Sequence, residues 1–288
     1  MTSWRVRVRV HHLNCGTMRP FGGRLLNQSG DRTTARLVCH CLLIETDDGL
    51  VLVDTGLGTQ AVARPKEILG RPFVTMTRPR LDVTETAVRQ IAALGHTAAD
   101  VRHIVLTHLD VDHTAGLTDF PEAEVHVHAT ELEAARRPVT RFERERYRPV
   151  VWSHRPRWVE HQAGDDRWHG FESVRGLPGG LLLIPLTGHT RGHVGVAVDT
   201  GDGWLLHAGD AYFHHDQVES GGCPPGLRLF QTLVQADRTT RLHNADRLRE
   251  VARAGDVTIF CAHDPVELER RRTAVQEPSR SSERRLGS

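Results

Sequence analysis

The chain has almost no net charge, few cysteines and no apolar run long enough to span a bilayer. Each absence excludes something. The formal charge is +1 with histidine neutral, from 37 Lys and Arg against 36 Asp and Glu, so there is no bulk electrostatic case for nucleic acid or an anionic membrane. The five cysteines (Cys15, Cys39, Cys41, Cys223, Cys261) are odd in number and irregular in spacing, which argues against a disulfide framework. Met1 to Val10 alternates Arg and Val without the apolar core of a signal peptide, so a reducing cytoplasm is the expected compartment. Composition is otherwise that of a soluble globular protein, with 39% hydrophobic and 25% charged residues, and 288 residues can bury a sizeable core.

Histidine is what the chain has in excess. Its 19 copies are about three times average usage. The densest cluster is Thr107-His108-Leu109-Asp110-Val111-Asp112-His113, which follows an apolar, β-branched run (Val101, Ile104, Val105, Leu106). A strand ending this way delivers imidazoles and carboxylates to one rim of a sheet. Those are the ligands that first-row divalent metals take from proteins.

The surrounding pattern reads as one α/β domain. Val6, Val8 and Val10 alternate with Arg and predict a half-buried or edge strand. Asn14 to Gly30 is Gly-, Asn- and Pro-rich and reads as a loop. Leu37–Glu45 and Leu50–Val53 predict a hairpin about an Asp-Gly turn, ending in Asp54-Thr55-Gly56. Thr84–Leu94 fits a helix capped by Thr84 and stopped by Gly95, and Thr130–Arg137 a second. Pro138–Pro178, with Trp152, Trp158 and Trp168, breaks the rhythm and reads as an insertion or lid. Strands follow over Leu181–Leu186, Val194–Val198, Trp204–His207 and Val257–Cys261, with a long loop over Tyr212–Gln235 and a helix over Arg238–Ala254. This predicts a single domain over 1–270, with two sheets and helices outside, and a disordered Arg/Ser-rich tail over 271–288.

Four of these strands end in a polar cluster: His108–His113, His189, Asp210 and His263. Such ends converge in space although they are far apart in sequence. Seven candidate ligands result: His108, Asp110, Asp112, His113, His189, Asp210 and His263. They suffice for two metals and a bridging carboxylate.

With Leu52-Val53-Asp54-Thr55-Gly56, Gly188-His189-Thr190-Arg191-Gly192-His193, Gly209-Asp210 and Ala262-His263-Asp264, the His-x-Asp-x-Asp-His cluster resembles the metallo-β-lactamase superfamily from Leu37 to His263. Within it the chain looks most like the N-acyl-homoserine lactonase branch. The resemblance implies a four-layer αβ/βα sandwich of two mixed sheets with a dinuclear site at one edge. By motif position, His108, Asp110 and His189 hold the first ion, Asp112, His113 and His263 the second, and Asp210 bridges. It further implies that Asp112 orients an attacking hydroxide shared by the ions and that Tyr212 donates to the developing oxyanion. The cofactors expected are two divalent ions, zinc first. One position departs: Asp110 stands where the family usually has His. A third carboxylate lowers the net positive charge, and a harder oxygen ligand admits iron or manganese.

Other residues read more plainly. Asp54 is expected to hydrogen-bond a turn beside the site, and His193 to support the ligands from behind. His214 and His215, on the loop after Asp210, are candidates for substrate contact. Cys39 and Cys41 share one strand face with His40 opposite, which reads as core packing. His11-His12, His126/His128 and His161/His169 read as surface or loop residues. The partner expected is a small-molecule substrate, with no nucleic acid or membrane and the oligomeric state open between monomer and homodimer. The function expected is metal-dependent hydrolysis of an ester or lactone. A thioesterase, phosphodiesterase or β-lactam hydrolase of the same fold is the alternative, and a non-haem diiron redox protein the alternative of another class.

Overall fold

The computed structural model describes residues 8–162 and 164–276. The expected strand at Val6 falls partly outside them, as does the expected tail beyond Gln276. Seven strands form a large mixed sheet: β1 (Arg9–Met18), β2 (Leu37–Thr46), β3 (Gly49–Val53), β4 (Pro79–Arg80), β5 (Val101–Val105), β6 (Glu124–His128) and β7 (Arg157–His161), in the order β4-β1-β2-β3-β5-β6-β7. A two-stranded hairpin, β8 (Asp166–Trp168) and β9 (Phe171–Ser173), stands apart. The second sheet has the order β10 (Leu182–Pro185), β11 (Val194–Asp199), β12 (Trp204–His207), β13 (Val257–Phe260).

Alternation along the strands builds the layers. Leu42, Ile44, Val51, Val53 and Val105 face Leu183, Val196, Val198, Leu205 and Phe260 and fill the space between the sheets. The opposite face of the large sheet, with Leu43, Leu52, Ile104 and Val125, packs against Ile91 and Leu132 of its helices. The outer face of the small sheet, with Ile184, Ala197 and Leu206, packs against Leu248 and Val251 of the helix Arg238–Ala254. The result is the four-layer αβ/βα sandwich. β3 and β5 run parallel, as do β12 and β13. Their C-terminal ends, all at one edge, carry the polar clusters.

Several elements differ from the expected pattern, each for a local reason. Asn14–Met18 is strand, not loop: the register of β1 on β2 shifts between Asn14 and Thr17, so the Gly and Asn there mark a bulge. The first turn expected at Thr84 is a short 3-10 turn (Val83–Glu85) on an Asp82 cap, and the helix proper is Ala87–Ala93. Tyr212–Gln235 is not one loop but holds helices Asp216–Glu219 and Pro225–Val234, the second entered through a proline at its first position. The 138–178 segment is not a lid as a whole. It supplies the helix Arg141–Arg146, opened by a Thr140/Glu143 capping box, then edge strand β7 and the small hairpin. Residues 271–276, assigned to the tail, continue the helix Pro265–Gln276. No helix among the described residues is long and apolar enough to cross a membrane.

Candidate metal centre

Asp54 follows β3 with φ 55°, a left-handed conformation that L residues other than Asn and Asp rarely take. The turn aims its carboxylate sideways at the end of β5. Oδ1 accepts the Thr107 N–H at 2.8 Å, while Oδ2 accepts the Thr107 hydroxyl at 2.8 Å and lies 2.8 Å from His113 Nδ1. With Nδ1–H turned to Asp54, His113 presents Nε2 to the cluster. The chain then enters a single helical turn, Val111–Thr114, with Asp110 at its cap position. The Asp110 side chain makes no cap bond, so it is left for the site.

The other strand ends bring the remaining groups. His263 Nδ1 donates to Val38 O at 2.7 Å across the two sheets, leaving Nε2 inward. His193 Nδ1 donates to Leu186 O at 2.9 Å, so its Nε2 accepts the Asp210 N–H at 2.8 Å. Asp210 is thereby pinned by its own backbone. Gly209 holds φ 53°, and a Cβ there would lie 2.5 Å from His193 Nε2, so the approach needs glycine.

Two sets of ligand-type atoms result. His108, Asp110, His189 and Asp210 form one, and Asp112, His113 and His263 the other. Asp110 Oδ2 lies 3.4 Å from His108 Nε2 and 3.1 Å from His189 Nε2. Asp210 Oδ2 lies 3.8 Å and 3.3 Å from the same two nitrogens. Asp210 Oδ1 turns to the other set, 3.3 Å from His113 Nε2 and 3.1 Å from His263 Nε2, and Asp112 Oδ2 is 3.5 Å from His263 Nε2. Asp210 Oδ2 is also 3.2 Å from His263 Nε2, so this one carboxylate stands between the two sets and reaches both.

These separations fit metal binding. Ligands about 2.0–2.1 Å from a tetrahedral ion stand roughly 3.3 Å apart from one another. His108 Nε2, His113 Nε2 and Asp210 Oδ1 are also buried without a hydrogen-bond partner, a costly arrangement unless something else satisfies them. Burial alone would push these carboxyls up. At Asp210 the surrounding His263, His113 and His189 reverse that and hold it well below the usual range. At Asp110, Arg146 and His108 do the same. Burial keeps the Asp112 carboxyl raised. For His113, burial lowers, but Asp210 and Asp54 prevail and raise it well above the ordinary value.

An open cavity of about 180 Å³ stands over the cluster. Asp110, Asp112, His189, Asp210 and His263 line its floor, and Leu69, Phe73, Phe142, Phe213, Leu227 and Phe230 its walls. The expected substrate contacts differ here. Tyr212 is fully buried and donates its hydroxyl to Glu267 Oε1 at 2.8 Å, so it is not brought to the cluster. His215 pairs with Asp264 at 2.7 Å, and neither it nor His214 lines the cavity; Phe213 does.

Two residues at the site escaped the sequence reading. Glu131, fully buried, accepts the N–H groups of Leu109 and Gly192 and the Thr190 hydroxyl, tying together the two ligand loops. Arg146 lies 3.0 Å from Asp110 Oδ1. Nothing in the charge-rich run Arg141–Arg146 singles out its last member, and Glu131 has no signal beyond its place on a buried helix face.

Of the histidines expected at the surface, His169 is exposed and His11 and His161 are partly so, but His12, His126 and His128 are buried. His12 is buried, with Nδ1 2.8 Å from His40 Nε2, and His126 lies between His103 and His161 at 3.1 and 2.9 Å. Cys39 and Cys41 are buried in the core.

Comparison with known proteins agrees with this geometry. A family model described as the metallo-beta-lactamase superfamily matches residues 34–263. A "probable metallo-hydrolase" of Mycobacterium tuberculosis is 45% identical over 264 residues, covering 90% of this chain and 81% of its own. An N-acyl homoserine lactonase of Bacillus thuringiensis is 28% identical over 248 residues, covering 84% of each chain. The solved structure of B. thuringiensis AiiA with N-decanoyl-L-homoserine at its active site superposes with a TM-score of 0.69 at 22% identity, over 91% of this chain and 95% of that one. The chain belongs to the metallo-beta-lactamase superfamily and is a metallo-hydrolase of that fold.

Proposed function

We propose that the protein is a two-metal hydrolase of esters or lactones that carry an apolar acyl chain. The observation that carries this is the placement of two ligand sets, sharing Asp210, under a cavity walled by Leu and Phe. His108, Asp110 and His189 would hold one ion, Asp112, His113 and His263 the other, with Asp210 between the two sets. When bound, such ions supply Lewis acidity toward a carbonyl oxygen and acidify water towards neutral pH.

The chain's own groups do the rest. Asp54, Val38 O and His193 fix the ring and carboxylate orientations, so the ligands need no reorganisation. Asp112 lines the cavity floor, where it orients the attacking water, accepts its proton and returns that proton to the leaving alkoxide as the acyl C–O bond breaks. The apolar walls take up the acyl chain and exclude bulk water from the carbonyl. Bacillus and Agrobacterium relatives named as N-acyl homoserine lactonases support a lactone as substrate.

The test is purified protein of measured metal content, screened against N-acyl homoserine lactones, aryl esters, thioesters, phosphodiesters and β-lactams. Two equivalents of divalent metal and lactone or ester turnover are expected, with His113→Ala and Asp210→Asn abolishing it. Full activity in both variants sinks the two-metal reading. Turnover of phosphodiesters or thioesters alone sinks the substrate assignment.

A further inference from the structure

We propose that Arg146 is the positioning residue that lets Asp110 stand where the family usually has histidine, the two side chains acting as one neutral unit. This rests on the two-metal reading above.

Asp110 divides its oxygens. Oδ2 faces inward, 3.4 Å from His108 Nε2 and 3.1 Å from His189 Nε2, at the separations a shared ion requires. Oδ1 faces outward, 3.0 Å from Arg146 Nε. The Arg146 side chain is only 6% exposed, so water does little to screen the pair. Its guanidinium is held on the other edge as well: Nη1 donates to His189 O at 2.9 Å, and Nη2 to Val234 O. A planar fork serves both carbonyls together, which an ammonium cannot do, while Asp110 Oδ1 meets the guanidinium as an ion pair without an aligned hydrogen bond.

Charge decides what the pair is for. A neutral histidine at position 110 would add nothing to the charge of the first ligand set. Aspartate adds a negative charge, and the adjoining arginine returns the sum to zero. Neither half is harmless alone. Without Asp110, Arg146 is a buried cation with Nη2 3.3 Å from His189 Nε2, a nitrogen that must face a dication. Without Arg146, the carboxylate is uncompensated and the site acidifies water less. The helix Arg141–Arg146 begins the segment that reads as an insertion in the sequence, so that segment delivers the counter-charge for the one altered ligand.

The experiment is a double-mutant cycle with metal content as its first readout. Asp110→His, Arg146→Met and the double variant are dialysed against metal-free buffer, then assayed for bound metal and for the pH dependence of turnover. Asp110→His is expected to lose the ion of the first set on dialysis, because the uncompensated Arg146 cation then stands beside it. Arg146→Met is expected to retain metal and to shift the acid limb of the profile to higher pH. The double variant is expected to regain both the metal and the parental profile. If it holds no more metal than Asp110→His, or if Asp110→His keeps both ions, the pairing is wrong and Arg146 merely ties the helix to its neighbours. Arg146→Gln replaces Arg146→Met if the latter does not fold. A parent protein that takes up neither ion overturns the centre and the pairing together; two ions in the parent without rescue overturn the pairing alone.

Discussion

Tyr212 Oη and Glu267 Oε1 form a fully enclosed pair at 2.8 Å, behind the wall of the site rather than in it. Burial first, then the nearby Asp264, push the Glu267 carboxyl up to about 7, so the phenol is paired with a carboxyl that ionises reluctantly. Removing the hydroxyl leaves that carboxyl short of a donor. Tyr212→Phe is therefore expected to cost about 1–3 kcal/mol of stability while leaving kcat for an ester or lactone unchanged. A denaturant melt and a steady-state assay on the same preparation check it; a large loss of kcat at unchanged stability would return Tyr212 to the reaction. The ligands themselves were legible because each ends a strand, and strand ends can be read from apolar runs. What supports them was not. Asp54 could be placed because it too ends a strand, but Arg146 and Glu131 sit on helices among other charges, and only the packing of those helices selects them.

At the scale of elements, strands were easier to read than what covers them. Strands β2, β3, β5 and β10–β13 follow from alternation and from Asp-Gly turns. The cavity walls come instead from short helices whose sequences look like loops. Pro225 opens the helix Pro225–Val234, whose Leu227, Phe230 and Val234 face the cavity, and Arg71–Thr77 enters through a proline as well. On the proposed ester or lactone reading, these walls set substrate length. Each buried methylene contributes about 0.8 kcal/mol, so a decanoyl chain should be preferred over a hexanoyl chain by up to roughly 200-fold in kcat/KM. Phe230→Ser opens the wall to water and is expected to shrink that preference by about tenfold, with little effect on a butanoyl substrate. Kinetics on a homologous series of acyl homoserine lactones checks it, and an unchanged length preference places the acyl chain elsewhere.

The molecule as a whole is two sheets that meet at the site and share backbone hydrogen bonds there, His40 N–H to Ala262 O at 2.9 Å and Val194 N–H to Thr107 O at 2.9 Å. The histidine excess extends through this body. His40 lies against Phe260 of the inter-sheet core, with His12 and His207 beside it, and His103, His126 and His161 form a row across β5, β6 and β7. The excess was visible as a number, but a count cannot tell a ligand from a core residue. Burial holds eleven described histidines below their ordinary value. Three are raised, His215 chiefly by its Asp264 bond, and His113 and His263 by carboxylates that outweigh burial. A histidine lowered in the fold binds its proton first in the unfolded chain, so its contribution is present above pH 6.5 and is lost as pH falls toward its folded value. For His126 that value is about 4 and for His12 about 3, and burial is the first cause of both. The lowered groups outnumber the raised ones, so stability should fall steadily as the protein is acidified from pH 6.5 to 4. Carboxylates titrate in part of this range, and a variant isolates the histidine share. His126→Gln keeps a polar group in the row without the titration. Its melting temperature should drop less than the parent's between pH 6.5 and 4. Parallel curves for the two proteins would mean that the row does not govern acid sensitivity.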